Sequence, residues 1–160
     1  MSNILIAFFS ASGKTKSVAE KLTAVMTADI FEIKASIPYT VEDLNFLDDT
    51  SRTSIEKYNP DLRPEYIGDL SNPEKYKYIF LGFPNWWNKE PNIIDTFLES
   101  IDLSGKKIIP FCTSRVGGVQ IAQERITKLV GDAATVDYGA RLDIRITEPQ
   151  LRQWVNSKLR

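Results

Sequence analysis

Three continuous apolar runs, each followed by residues at helical spacing, constrain this chain most. Asn3–Phe9 reads NILIAFF, Tyr76–Phe83 reads YKYIFLGF and Lys106–Cys112 reads KKIIPFC. None alternates polar with apolar, as a strand with one wet face would. A run that is apolar at almost every position suits a strand buried on both faces, as in a parallel sheet covered by helices. Helical periods fill the gaps. Val18, Ala19, Leu22 and Met26 form one; Ile93, Ile94, Phe97 and Leu98 form another, with Pro91 near its first turn. Ala122, Ile126, Leu129 and Val130 form a third, which Gly131 would stop. A short strand is read over Asp29–Ile33 and a fifth within Ala134–Ile144. Thr147 is placed to cap a last helix that turns Leu151, Trp154, Val155 and Leu159 inward. The sum is βαβ repeated: an α/β fold, a doubly wound five-stranded parallel sheet with helices on both faces. Residues 1–160 suit a single domain, long enough to bury about 70% of its unfolded surface.

One segment breaks the rhythm. Residues 34–75 are polar and proline-bearing where a helix is due. Thr40–Asp43, reading TVED, has the pattern of a capping box and could open a short helix. A loop of this length in a compact domain is usually functional, so it is expected to border the site.

What the chain lacks narrows the chemistry. It has no histidine, which excludes Ser-His-Asp and Cys-His catalysis and histidine-ligated metals. Its one cysteine, Cys112, can form neither an internal disulfide nor a redox dithiol. Any redox chemistry must come from a bound cofactor. The formal net charge is −1 with the cations scattered, so no nucleic-acid partner is expected. No run approaches the ~18 apolar residues of a membrane span, and no basic n-region precedes Ile4, so a cytoplasmic protein without membrane contact is expected.

The segment after the first strand, Phe8–Ser17, reads FFSASGKTKS and ends like a triphosphate loop. That loop needs G-x-x-x-x-G-K-[ST], and with Gly13 as the second glycine the first would fall on Phe8, inside the strand. The third strand also ends LGFP, without a carboxylate for Mg²⁺. What remains is S-x-S-G-x-T: Ser10, Ser12, Gly13 and Thr15, with Lys14 between. Hydroxyls, backbone N–H groups and a helix N-terminus suit one phosphate monoester, and Gly13 lets the backbone approach it. The plainer alternative is a serine-rich turn with Ser12 or Thr15 as the N-cap.

In a doubly wound sheet, ligands lie beyond the carboxyl ends of the strands, where the strand order switches. The loop after the third strand, GFPNWWNKEP, offers the flat faces of Trp86 and Trp87. The loop after the fourth, CTSRVGGVQ, offers the Thr113 and Ser114 hydroxyls and the Gly117–Gly118 backbone. Together the three loops describe a phosphorylated flat heterocycle. Each residue also has a bland reading: paired tryptophans can be core, Cys112 a small buried thiol, and Arg115 a solvated charge. Asp29, Asp95 and Leu47–Asp49 are read as solvated or capping residues without chemistry.

With SASGKT, GFPNWW and TSRVGG in that order, the chain resembles short-chain flavodoxin-like proteins. It is most similar to the branch whose third strand ends Gly-aromatic-Pro-x-Trp-Trp and whose long loop carries Pro38-Tyr39 and Arg63-Pro64-Glu65. The resemblance implies strand order 2-1-3-4-5 and non-covalently bound FMN. It implies a phosphate held by Ser10, Ser12, Gly13, Lys14 and Thr15. Pro84, Asn85, Trp86 and Trp87 would lie along the isoalloxazine. Thr113, Ser114, Gly117 and Gly118 would meet its pyrimidine edge, with Arg115 beside them. Tyr39 and Arg63 would reach the pocket from the long loop. The activity implied is electron transfer with redox partner proteins, or an NAD(P)H-dependent FMN reductase of quinones or similar small acceptors. Many flavodoxins are strongly acidic and place a tyrosine where this chain has Arg115. A receiver-like regulator would share the fold but needs acids after the first strand, where this chain reads AFFSAS.

Overall fold

The computed structural model of the chain describes residues 2–160. Its elements, in order, are β1 (Ile4–Phe8), α1 (Lys14–Thr23), β2 (Asp29–Glu32), β3 (Lys34–Ala35) and α2 (Arg52–Tyr58). They continue with β4 (Tyr66–Ile67), a 3₁₀ turn over Pro73–Lys75, β5 (Tyr78–Pro84), α3 (Asn92–Ser100) and β6 (Lys107–Thr113). The chain closes with α4 (Gln120–Val130), β7 (Thr135–Val136), β8 (Ala140–Arg141) and α5 (Glu148–Lys158).

The main sheet runs β2-β1-β5-β6-β7, with β8 also on β6, and every pairing in it is parallel. Counting β7 and β8 as one interrupted strand, this is the expected order 2-1-3-4-5. The interruption falls opposite Pro110, between the β6 residues that pair with β7 and those that pair with β8. Proline has no N–H to donate to an edge neighbour, so the ladder lapses there and resumes two residues later.

Both faces of the sheet are covered, and alternate residues of each strand serve each face. Ile6, Phe8, Phe80, Ile109 and Phe111 pack with Val18, Ala19 and Leu22 of α1 and Leu151 and Val155 of α5. Leu5, Ala7, Ile79, Leu81 and Ile108 pack on the other side with Ile94 and Phe97 of α3 and Ala122 and Ile126 of α4. The last helix starts at a full capping box: Thr147 accepts from the Gln150 backbone while the Gln150 side chain accepts from the Thr147 N–H. Gly131 ends α4 at φ +57°, as its position after the apolar period requires.

The long segment holds more structure than its sequence suggests. Thr40 and Asp43 do exchange the two bonds of a capping box, at 2.9 and 3.1 Å. They close a turn, not a helix. The helix of this segment is α2, which starts later, behind Ser51, whose hydroxyl accepts from the Ser54 N–H. Its C-terminal end meets α3, where buried Asn92 donates to the Glu56 and Asn59 carbonyls at 3.2 and 3.1 Å. A two-stranded antiparallel ribbon, β3 with β4, completes the segment.

Candidate functional site

The three loops singled out in the sequence leave the carboxyl ends of β1, β5 and β6, which are neighbours in the sheet. In the first loop Gly13 sits at φ +92° with nothing within 4 Å of where a Cβ would be. A side chain there would be strained, though not crowded. Neither Ser12 nor Thr15 caps α1. That part falls to Ser10, whose hydroxyl accepts from the Gly13 and Lys16 N–H groups at 3.1 and 3.2 Å. Ser12, Gly13 and Lys14 are exposed. Thr15 is 1% exposed, and its hydroxyl is 2.8 Å from that of Thr113 at the end of β6. The hydroxyl pair ties the first loop to the third. The amides of Lys14 and Thr15 stand in the first turn of the helix, where no intrahelical acceptor exists.

The second loop is a tight reversal. Trp87 and Asn88 have φ of +52° and +63°, and Lys89 donates back to the Trp86 carbonyl at 3.1 Å. Two left-handed residues in succession describe a type I′ turn, which favours Asn and Gly and strains a tryptophan. Lys57 of α2 lies 4.8 Å over the Trp87 ring. Trp86 turns inward and meets Phe9 and Tyr39 edge-on at 5.7 and 5.5 Å. Both indoles remain partly exposed and, with Asn85, Leu44 and Phe46, line a cavity of about 290 Å³. Tyr39 therefore reaches the aromatic wall from the long segment. Its hydroxyl donates to Glu56 at 2.8 Å, and burial raises its pKa. Arg63 does not join it; it pairs with Glu99 in the last turn of α3.

The second and third loops are joined. The Asn85 N–H donates to the Thr113 carbonyl at 3.0 Å, and its side-chain amide donates to the Gly118 carbonyl at 3.3 Å. A Cβ on Gly117, at φ +81°, would lie 2.3 Å from Asn88 Oδ1 and 3.1 Å from Asn85 Nδ2. Asn85 Oδ1 is buried and has no hydrogen-bond partner among the described residues. Pro84 ends β5 beside it, in register with Thr113. Ser114 donates to the Val116 carbonyl, bending the loop so that Arg115 projects into solvent. Cys112 is fully buried, its thiol pushed up to about 11, and its chemistry is silent at neutral pH.

Two features escaped the sequence reading. Asp95 is not a solvated residue: it is 3% exposed in the first turn of α3, against Glu90 at 1%. Arg125 of α4 reaches Glu90 at 2.9 Å and Asp95 at 3.8 Å. Burial first, and then the charge of Glu90, raise the Asp95 carboxyl to about 8. Glu90 is raised as well, by burial. Asp95 thus holds a proton at neutral pH while Glu90 faces the guanidinium. The second feature is a group of arginines at the far end of β6. Arg141 donates to the Arg115 carbonyl at 2.8 Å, and Arg145 follows it. Helical spacing pointed to neither feature: the partner of Asp95, Arg125, comes from α4, distant in sequence, and Arg141 sits on a two-residue strand.

A family model for flavodoxin, Flavodoxin_4, matches residues 3–158. A crystal structure from Bacteroides eggerthii DSM 20697, provisionally assigned as a flavoprotein, superposes with TM-score 0.91 and 35% identity, covering 96% of each chain. A similarly assigned protein from Bacteroides uniformis ATCC 8492 gives 0.90 and 33%, covering 96% of this chain and 97% of that one. A flavoprotein from Lactobacillus acidophilus NCFM, solved in complex with FMN, gives 0.71 at 22% identity, over 86% of this chain and 91% of its own, a likeness of fold. No curated protein matches the chain.

Proposed function

This chain belongs to the flavodoxin family, and on that premise we propose that it binds FMN non-covalently and passes electrons through it. The observation that carries the reading is the convergence of three loops with complementary donors at the carboxyl ends of three adjacent strands, β1, β5 and β6. That is where a doubly wound sheet takes its ligand.

The residues fit the cofactor. The N-terminus of α1, with Gly13 open to approach and its dipole directed outward, suits the phosphate dianion. Ser10, Ser12, Gly13 and Lys14 would hold it. Thr15 serves a step away, since its hydroxyl is committed to Thr113. The partly exposed faces of Trp86 and Trp87 suit a flat ring. Asn85 Oδ1 is buried and unpaired, and a ribityl hydroxyl or a ring N–H would supply it a donor. Thr113, Ser114, Gly117 and Gly118 would border the polar edge of the ring, beside Arg115.

Bound FMN supplies one- or two-electron redox chemistry that no side chain here can perform. The protein's own contribution is binding, orientation and charge. Asn85 and Gly118 lock the second and third loops together, so the ring would be gripped by a rigid frame. Arg115 places positive charge near the polar edge. Exposed to solvent, that charge is screened, and it would still favour electron uptake by a ring bound beside it. That favours two-electron use more than an acidic surround would. The second reading, an NAD(P)H-dependent reductase of quinones or similar acceptors, rests on this cation. The test is direct: the purified protein should be yellow and release FMN on denaturation. NAD(P)H oxidation with quinones then separates reductase from carrier. A colourless protein that takes up no flavin overturns the proposal.

A further inference from the structure

Between the first loop, the third loop and the segment after β8 lies a cavity of about 710 Å³. This is within the usual size of a small-molecule site, about 300–1,000 Å³. Its floor carries the Thr113 and Ser114 hydroxyls, and its walls carry Lys14, Arg115, Arg141 and Arg145. No aromatic side chain lines it, and neither does Ser10, Ser12 or Gly13. The cavity is built for charge, not for a ring.

Its charge is unbalanced. Asp143 is the one acid on its wall, and it is spent on Arg145, with two contacts at 3.1 Å. Lys14, Arg115 and Arg141 form no ion pair among the described residues. The chain as a whole carries a formal charge of −1. Three cations without carboxylate partners around one concavity focus a positive potential into it, and with Lys14 turned to the FMN phosphate Arg115 and Arg141 would remain for a second anion. Arginine forks match phosphate oxygens in pairs, and two of the three are arginines. The wall is also held in place. Arg141 is fixed to the Arg115 carbonyl, and Lys21 of α1 binds the Ile144 and Ile146 carbonyls, which steadies the loop after β8.

We propose that this cavity is a second anion site, which takes the phosphate groups of a pyridine dinucleotide beside the bound FMN. The proposal rests on the FMN reading above. Arg141 and Arg145 are its new residues; Lys14, Thr113, Ser114 and Arg115 form the border it shares with the cofactor.

The experiment is calorimetric titration of FMN-loaded protein with NADP⁺, at low and at high salt. The same titration is run on R141Q, R145Q and D143N, after the FMN affinity of each has been measured. The expected result is binding that weakens with salt, is lost at least tenfold in R141Q and falls in R145Q. D143N should bind NADP⁺ several-fold more tightly, because it frees Arg145. FMN affinity should stay within twofold of wild type in all three. Three results overturn the proposal: no NADP⁺ binding; loss of FMN in R141Q, which assigns the arginines to the cofactor's own phosphate; or binding of poly-glutamate without NADP⁺, which assigns the face to an acidic protein. If the wild-type protein takes no FMN, the earlier reading fails at the loading step. The apo protein titrated with inorganic pyrophosphate then reads the cavity alone, and absence of binding overturns it.

Discussion

Replacing Gly117 with alanine should damage the site more than the fold. Gly117 sits at φ +81°, where an L side chain costs roughly 1–2 kcal/mol. The added Cβ would lie 2.3 Å from Asn88 Oδ1 and 3.1 Å from Asn85 Nδ2, so one or both must move. Asn88 is exposed and can swing away at little cost. Asn85 is tied to the Gly118 carbonyl, and displacing it loses about 1 kcal/mol of hydrogen bonding. Gly105 is the matched control. It has φ +73°, nothing within 4 Å, and a place just before β6, at the opposite end of the sheet. Gly105→Ala should lose about 1–2 kcal/mol of stability and Gly117→Ala about 2–3, or roughly 2–8 °C and 4–12 °C in Tm for a chain of this size. FMN affinity should fall about fivefold or more in Gly117→Ala and stay unchanged in Gly105→Ala. Thermal unfolding of the apo proteins and flavin fluorescence titration read the two quantities. Equal FMN affinity in the two variants would refute the reasoning, because Asn85 would then have no part in holding the ring.

Two further outcomes follow from the same geometry. Thr15→Val and Thr113→Val each strand a buried hydroxyl and should each cost about 1–3 kcal/mol in urea denaturation, while the double variant should cost less than their sum; simple additivity would mean that the two hydroxyls do not bond. Asp95 binds its proton more tightly folded, at about 8, than an unfolded carboxyl does at about 3.9, so stability should fall as pH rises from 5 to 8. The lowered carboxyls such as Asp143 titrate below that window and there is no histidine within it, so Asp95→Asn should reduce the slope and leave the part owed to the raised Glu90 and Glu56; a wild-type stability that rises over this range would contradict the assignment.

The fold was legible because burial on both faces leaves a continuous apolar run, and β1, β5 and β6 each carry one. Strand five was bounded only loosely, since Pro110 on its neighbour splits it into two short pieces, and a proline's effect on the strand beside it leaves no local signature. The long segment was legible as a departure and not as structure. Its helix, α2, is half-buried on α3, and Thr40–Asp43 offered a capping pattern that tertiary packing did not extend. The position of the site could be read from loop chemistry at the switch of strand order. Individual roles could not. Ser10 caps α1 instead of Ser12 or Thr15, because the hydroxyl three residues before the cap reaches two amides at once. Asp95 reads as polar in a helix and becomes a buried acid only when Glu90 and Arg125 of α4 come up against it.

The account stands on a phosphate held at the N-terminus of α1. The measurement that tests it most directly is titration of the apo protein with FMN and with riboflavin, followed by flavin fluorescence. The two ligands share the ring and the ribityl chain and differ only in the phosphate. Several charge-assisted bonds at about 1.5–3 kcal/mol each should make FMN tighter by orders of magnitude. Equal affinity for the two would contradict the account.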